Sequence, residues 1–309
     1  MLPFLEFLKR IFRPITRPVV LGVVVGICLT FLMSALWLFE GEKKGEDAFR
    51  EDVVHQAPAL NVSVVAKPES KKYASCHEGG KLGEHGHIAP LKGKGPFVSF
   101  VIFGLGQDKK LVKESLVHIP REFAVAVPFG TYHADFLCQR FYKTGHEVLL
   151  DVPLESEGRI QDQQFLSAQS SCEDIARYMD RVRAFRVIGI THTNGTAFTK
   201  NEQAMGRLFD YCCQHALFFL DTLATPFSCA ERLGRECGLY AITSHVFLDG
   251  CQRVTPAFLA KLVRKKKSVV IAILVTRGDM ERLAHLPMRV HKAGGHVVPL
   301  SAQLSVRPR

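Results

Sequence analysis

The sequence predicts an α/β fold in which repeated strand–helix units close into a barrel. Two observations carry this. From residue 97 onward, short β-rich runs alternate with amphipathic helical stretches, the pattern of a mainly parallel sheet with crossover helices. Eight strand candidates (97–103, 122–127, 147–152, 185–191, 216–221, 239–242, 268–274 and 296–300) fall within about 210 residues, which favours a barrel of (β/α) units. An open doubly wound sheet is the alternative the same pattern allows. In both folds, function gathers at the C-terminal ends of the strands.

Ahead of these units, residues 1–18 form a basic N-terminus carrying Lys9, Arg10, Arg13 and Arg17. Residues 19–39, VVLGVVVGICLTFLMSALWLF, hold no charge and are long enough to cross a bilayer at about 1.5 Å rise per residue. Glu40, Glu42, Glu46 and Asp47 crowd the far side. The positive-inside rule then puts the N-terminus in the cytoplasm and the rest of the chain outside. No clean small-x-small cleavage site follows, so the segment reads as an uncleaved signal anchor, with Trp37 at the interface.

Residues 40–95 read as a flexible linker with mixed charge and scattered prolines. Cys76, His77, His85 and His87 lie within it, but their spacing fits no closed zinc site. The barrel domain is expected over 96–303, with a short tail at 304–309.

Several helix starts are legible. Ser170-x-x-Glu173 and Thr199-x-x-Glu202 read as capping boxes. Thr225-Pro226 and Thr255-Pro256 each place an N-cap before a proline at the first helical position. Met205, Leu208, Phe209 and Cys212 follow helical spacing, as do Leu259, Leu262 and Val263. Cys212 and Cys213 are adjacent on such a helix, so they point to different faces and make poor partners for each other. The formal charge of +10 has its densest run at Arg264-Lys265-Lys266-Lys267, read as a solvated helix C-terminus and not as a nucleic-acid patch.

The first strand runs into Gly104-Leu105-Gly106. A dinucleotide fingerprint needs a third glycine where Lys109 stands, and a phosphate loop needs a Gly-Lys-Ser/Thr that does not follow. Later strand ends deliver Asp151, then Glu155; Thr191-His192-Thr193-Asn194-Gly195; Asp221-Thr222; and Asp249. Asp151, His192, Asp221 and Asp249 are residue types for acid–base work or metal ligation. Carboxylates after strands also commonly cap the next helix or bind loop amides.

The ordered set GHEVLLDVPLE (145–155), VIGITHTNGTAFT (187–199), LFFLDTLATP (217–226), VFLD (246–249) and VVPLSA (297–302) resembles the divergent polysaccharide deacetylase family. The resemblance covers roughly 87–303. It implies an irregular barrel of about seven parallel strands, usually outside the cytoplasmic membrane. With the anchor, it implies a single-pass protein of a bacterial inner membrane whose C-terminal domain is periplasmic. Relatives with a metal site carry two aspartates where Phe103 and Gly104 stand here, and histidines at the positions of Asp151, Thr193 (with His192 one residue off) and near Val275. Some branches of the family show similar losses. The match is retained at Glu155, Gly195, Phe198, Thr199 and Asp221.

Metal-assisted deacetylation needs a cation to polarise the acetyl carbonyl and activate water, held by several ligands at about 2.0–2.2 Å. Phe103 and Gly104 cannot serve. The expectation is therefore a pseudoenzyme with no cofactor, binding a cell-envelope glycan or envelope protein in the old groove. Candidate catalytic residues are Asp151, His192 and Asp221; candidate groove residues are Glu155, Asp249, Thr193, Phe103 and Gly104. The alternative is an active hydrolase of N-acetyl groups working through a remodelled site, with a divalent metal only in that case.

Overall fold

A computed structural model describes residues 95–106, 108–131, 133–158, 165–181 and 186–305. The expected anchor, the linker and its cysteine and histidines lie outside these residues. Among the described residues, no helix is long and apolar enough to cross a membrane.

Strand and helix alternate as expected: β1 (Phe97–Phe103), α1 (Lys109–His118), β2 (Ala124–Pro128), α2 (Ala134–Lys143), β3 (Val148–Asp151), α3 (Cys172–Asp180), β4 (Gly189–Thr191), α4 (Glu202–Gln214), β5 (Phe218–Asp221), α5 (Ala230–Cys237), β6 (Ala241–Thr243), β7 (Val246–Asp249), α6 (Pro256–Lys265), β8 (Ser268–Leu274), α7 (Met280–Ala284), α8 (Leu286–Lys292) and β9 (His296–Val297). Every pairing is parallel, in the order β6-β5-β4-β3-β2-β1-β8-β7, with β9 beside β1. The sheet curls, and its two end strands are joined by only Ser244 and His245. The Ser244 amide donates to the Asp221 carbonyl at 2.8 Å on the β5 side. The next amide, His245, donates to the Val270 carbonyl at 2.8 Å on the β8 side. Residues 241–249 are thus one run of chain that hands its hydrogen bonds from one edge of the sheet to the other. Val246–Asp249, expected to end at Asp249 but not counted among the eight strand candidates, is a strand of its own within that run.

Alternation along the strands sorts side chains into two layers. Val98, Phe100 and Ile102 face the helices, while Val101 and Phe103 face inward with Ala124, Ala126, Leu149, Phe218, Leu220, Val270 and Ala272. The interior is closed at the N-terminal strand ends by a 3-10 segment, Leu300–Ser305. Leu300 and Leu304 enter the inner cluster, and Gln303 Nε2 donates to Ser99 Oγ at 2.9 Å. Ser301 bonds Glu147 through its hydroxyl and its amide.

Several helix starts differ in detail from expectation. The capping box of α3 is Ser171 with Asp174, one residue beyond Ser170 and Glu173. Asn201 caps α4 through the Gln203 and Ala204 amides, while the Thr199 hydroxyl donates to the Gly195 carbonyl. Thr225-Pro226 forms a turn, and α5 begins at Ala230. In each case a short polar side chain near the start captured a different amide, a competition that residue type alone does not decide. The Thr255 cap of α6 is as expected, its Oγ1 accepting from the Phe258 amide at 3.2 Å.

Among the described cysteines, Cys138, Cys172, Cys212, Cys229, Cys237 and Cys251 are free thiols. Cys213 is disulfide-bonded, with a partner outside the described residues.

Because Leu300 is fully buried in the inner cluster, Leu300→Ala is expected to lower unfolding free energy by about 2–5 kcal/mol in urea denaturation. An effect under about 0.5 kcal/mol, the size of a surface change, would mean the tail does not plug the barrel.

Candidate functional site

The C-terminal strand ends form the mouth, and β1 supplies its floor. Phe103 is fully buried, its ring 5.3 Å from that of Phe247, so apolar surface occupies the end of the first strand. Gly104 follows at φ 88°, a left-handed conformation that L side chains rarely adopt. A Cβ there would meet the Val275 carbonyl oxygen at 2.9 Å. A side chain at 104 would therefore be strained and would need the end of β8 to shift.

Asp151 ends β3 half-buried at the mouth, and its Oδ2 accepts from the Thr193 hydroxyl at 2.5 Å. Burial pushes this carboxyl up from the ordinary range; the Thr193 bond and the nearby His192 offset that only in part.

His192 precedes Thr193 and turns to the other side of the sheet. Its ring stacks on Phe219 at 5.5 Å, and Phe219 lies in the strand–helix layer against Phe209 of α4. Nδ1 donates to the Asn194 carbonyl at 2.7 Å, and Nε2 meets Asp221 Oδ1 at 3.0 Å, with both side chains essentially fully buried. Both ring nitrogens are taken, which leaves none for a metal or a substrate proton. Asp221 also accepts from the Leu223 amide at 2.9 Å. Burial pushes the Asp221 carboxyl up, but the bonds from His192, Ser228 and Leu223 outweigh it and hold it below the ordinary range. Thus the expected set separates into two pairs, Asp151–Thr193 at the mouth and His192–Asp221 behind the sheet. One residue of register decides this.

Glu155 anchors loops. Its Oε2 accepts from the Ser167 hydroxyl at 2.8 Å and the Ala168 amide at 2.7 Å. Its carbonyl accepts from the Ala197 and Phe198 amides. Gly195, at φ 134°, passes so close to the β3–α3 loop that a Cβ would meet Leu154 Cβ at 2.9 Å and His192 Nδ1 at 3.4 Å. Phe198 is fully buried, and the Thr199 carbonyl accepts from the Cys229 amide at 2.9 Å. Glu155, Gly195, Phe198, Thr199 and Asp221 therefore build the framework behind the mouth. Asp249 is exposed at the end of β7, in register with Leu274 beside Phe103.

Two features escaped the sequence reading. Leu223 is 41% exposed with φ 56°, and Phe227 is 75% exposed, both on the loop after β5 at the same face as Asp151. A non-glycine residue in that conformation stores strain, a mark of functional loops. Only the apolar residues following Asp221 could have pointed to them.

The residues do not fit the catalytic metal that deacetylases use. The first-turn positions offer an aromatic ring and a glycine without room, the histidine is engaged behind the sheet, and no group of three or more His, Cys, Asp or Glu among the described residues could hold an ion.

The family model for divergent polysaccharide deacetylases matches residues 100–304. An uncharacterized protein of Haemophilus influenzae is 28% identical over 138 residues, 42% of this chain and 48% of that protein. The uncharacterized protein YibQ of Escherichia coli is 24% identical over 143 residues, 45% of each chain. The chain thus matches about half the length of these curated relatives. A crystal structure of an uncharacterized protein from Agrobacterium tumefaciens shares the fold, with a TM-score of 0.60 at 20% identity, covering 69% of this chain and 91% of that one.

Removing His192 would strand a buried carboxylate, so His192→Ala is expected to cost about 3–5 kcal/mol of stability by chemical denaturation. Asp151→Asn should behave in the opposite sense. A carboxyl whose folded pKa is raised favours its protonated form in the native state. Stability is therefore unaffected below the unfolded value of about 4 and falls as pH rises through the folded one. The Asn variant should match the parent at acid pH and be the more stable at neutral pH; equal stability at both would refute the assignment.

Proposed function

The chain belongs to the divergent polysaccharide deacetylase family, and we propose that it is a member whose barrel mouth binds a cell-envelope glycan, or a glycan-bearing envelope partner, without the deacetylase metal. The observation that carries this reading is the first turn, where the Phe103 ring packs against Phe247 and the Val275 carbonyl crowds the place of a Cβ at Gly104. What remains is a half-buried Asp151–Thr193 pair, able to hydrogen-bond sugar hydroxyls, with the exposed Phe227 ring on the same face. A face that offers both polar groups and an aromatic ring suits sugar rings, which present C–H faces and hydroxyl edges.

In this reading the uncharged stretch 19–39 anchors the protein in a bacterial inner membrane with the barrel in the periplasm. The disulfide at Cys213 supports an oxidising compartment. Asp151 also favours a second reading, in which a carboxyl raised by burial serves as general acid or base in a metal-independent amide hydrolysis.

Titration of the full chain with N-acetylated oligosaccharides from the cell envelope separates the two. Binding without acetate release, weakened about tenfold or more by Asp151→Ala through loss of a charge-assisted bond, is the expected outcome. Acetate release that Asp151→Ala abolishes would favour the hydrolase, and stoichiometric bound metal would overturn both readings. Mass mapping of denatured, unreduced protein should find Cys213 alone protected from alkylation among the described cysteines.

A further inference from the structure

All strands are parallel, so the helix C-termini and the strand N-termini lie on one face of the barrel, opposite the mouth. The chain enters on that face at Phe97, and the plug Leu300–Ser305 closes the same face. It is strongly basic. Arg264, Lys265, Lys266 and Lys267 are all exposed in one run at the end of α6, and Arg140, Lys143 and Lys292 are exposed at the ends of α2 and α8. Helix dipoles account for the cations in the last helical turns. They do not account for Lys267, Arg121 or Arg186, which are exposed in the connections beyond the helices.

Acids on this face are few or engaged. Glu147 is bonded to Ser301, Glu236 to Arg232, and Asp180, at the end of α3, accepts from the Tyr211 hydroxyl; Glu122 is exposed. Lys265, Lys266 and Lys267 form no ion pair among the described residues. At the mouth acids are more numerous: Asp108 and Glu157 are paired with Arg277 and Lys200, and Lys109 and Lys110 are exposed there, but Asp151, Glu155, Glu173 and Asp249 stand beside them without a cation partner among the described residues. Charge is therefore separated along the barrel axis.

We infer that this basic face docks on the anionic headgroups of a phospholipid bilayer, turning the mouth away from the membrane. The inference rests on the proposed anchor. A span at 19–39 tethers the barrel through the 57 residues between Phe39 and Phe97, and the tethered chain leaves from the basic face. Tethering raises the local concentration of headgroups, so an attraction of about 1 kcal/mol per basic residue near the surface suffices to set orientation.

Hydrogen exchange of the full chain in nanodiscs tests this. With about one-third anionic lipid, amides at 262–268 are expected to exchange ~tenfold more slowly than in zwitterionic discs. The protection should vanish at about 0.5 M salt and in the variant K265E/K266E/K267E. Exchange that ignores lipid charge would overturn the docking surface. So would equal protection by a DNA oligonucleotide in zwitterionic discs, which would assign the face to polyanions at large. Alkaline extraction tests the anchor separately. If the chain extracts, the anchor is wrong, yet a basic docking face still predicts that the free chain co-sediments with anionic vesicles and that charge reversal prevents it.

Discussion

A barrel of this size has to fill its interior with side chains, and each strand contributes only alternate residues to that task. Phe103, Leu149, Phe218, Leu220 and Val270 meet the requirement along the wall, and Leu300 and Leu304 complete it from one end. Everything at the mouth is built on that packed floor. With Phe103 wedged against Phe247, the top of the interior is apolar, and polar groups are confined to the rim. The same alternation gives Thr193 to the rim and His192 to the layer beneath the helices. The loops are then held by bonds that have nothing to do with a ligand: Glu155 to Ser167 and Ala168, Asp221 to His192 and Leu223, and Thr199 to Cys229.

Glu155, Gly195, Thr199 and Asp221 fix loop geometry, and a loop framework of that kind can carry different rims. Fold membership therefore constrains the shape of the mouth more than the reaction performed there.

Most of the fold was legible because strand and helix periods differ and the alternation is strong. β1, β8 and the buried stripe of α4 fall where the pattern puts them. What escaped was local or three-dimensional. Neighbouring serines, threonines and asparagines compete for the same helix-start amides, so Ser171 and Asn201 displaced the caps read from spacing. Residues 241–249 change partners midway, and no composition signal marks the change. For the site, residue type identified Asp151, His192 and Asp221 as capable of chemistry. Only the face of the strand on which each falls separates Asp151 from the other two.

Gly104 also couples the first turn to a strand far from it in sequence. Here the backbone at 104 has settled into a left-handed turn, with the carbonyl of Val275 drawn in beside it. A side chain at 104 would demand that the end of β8 shift. The turn thus ties the residue at 104 to the position of β8, so the identity of one residue and the path of a strand distant in sequence are a single constraint.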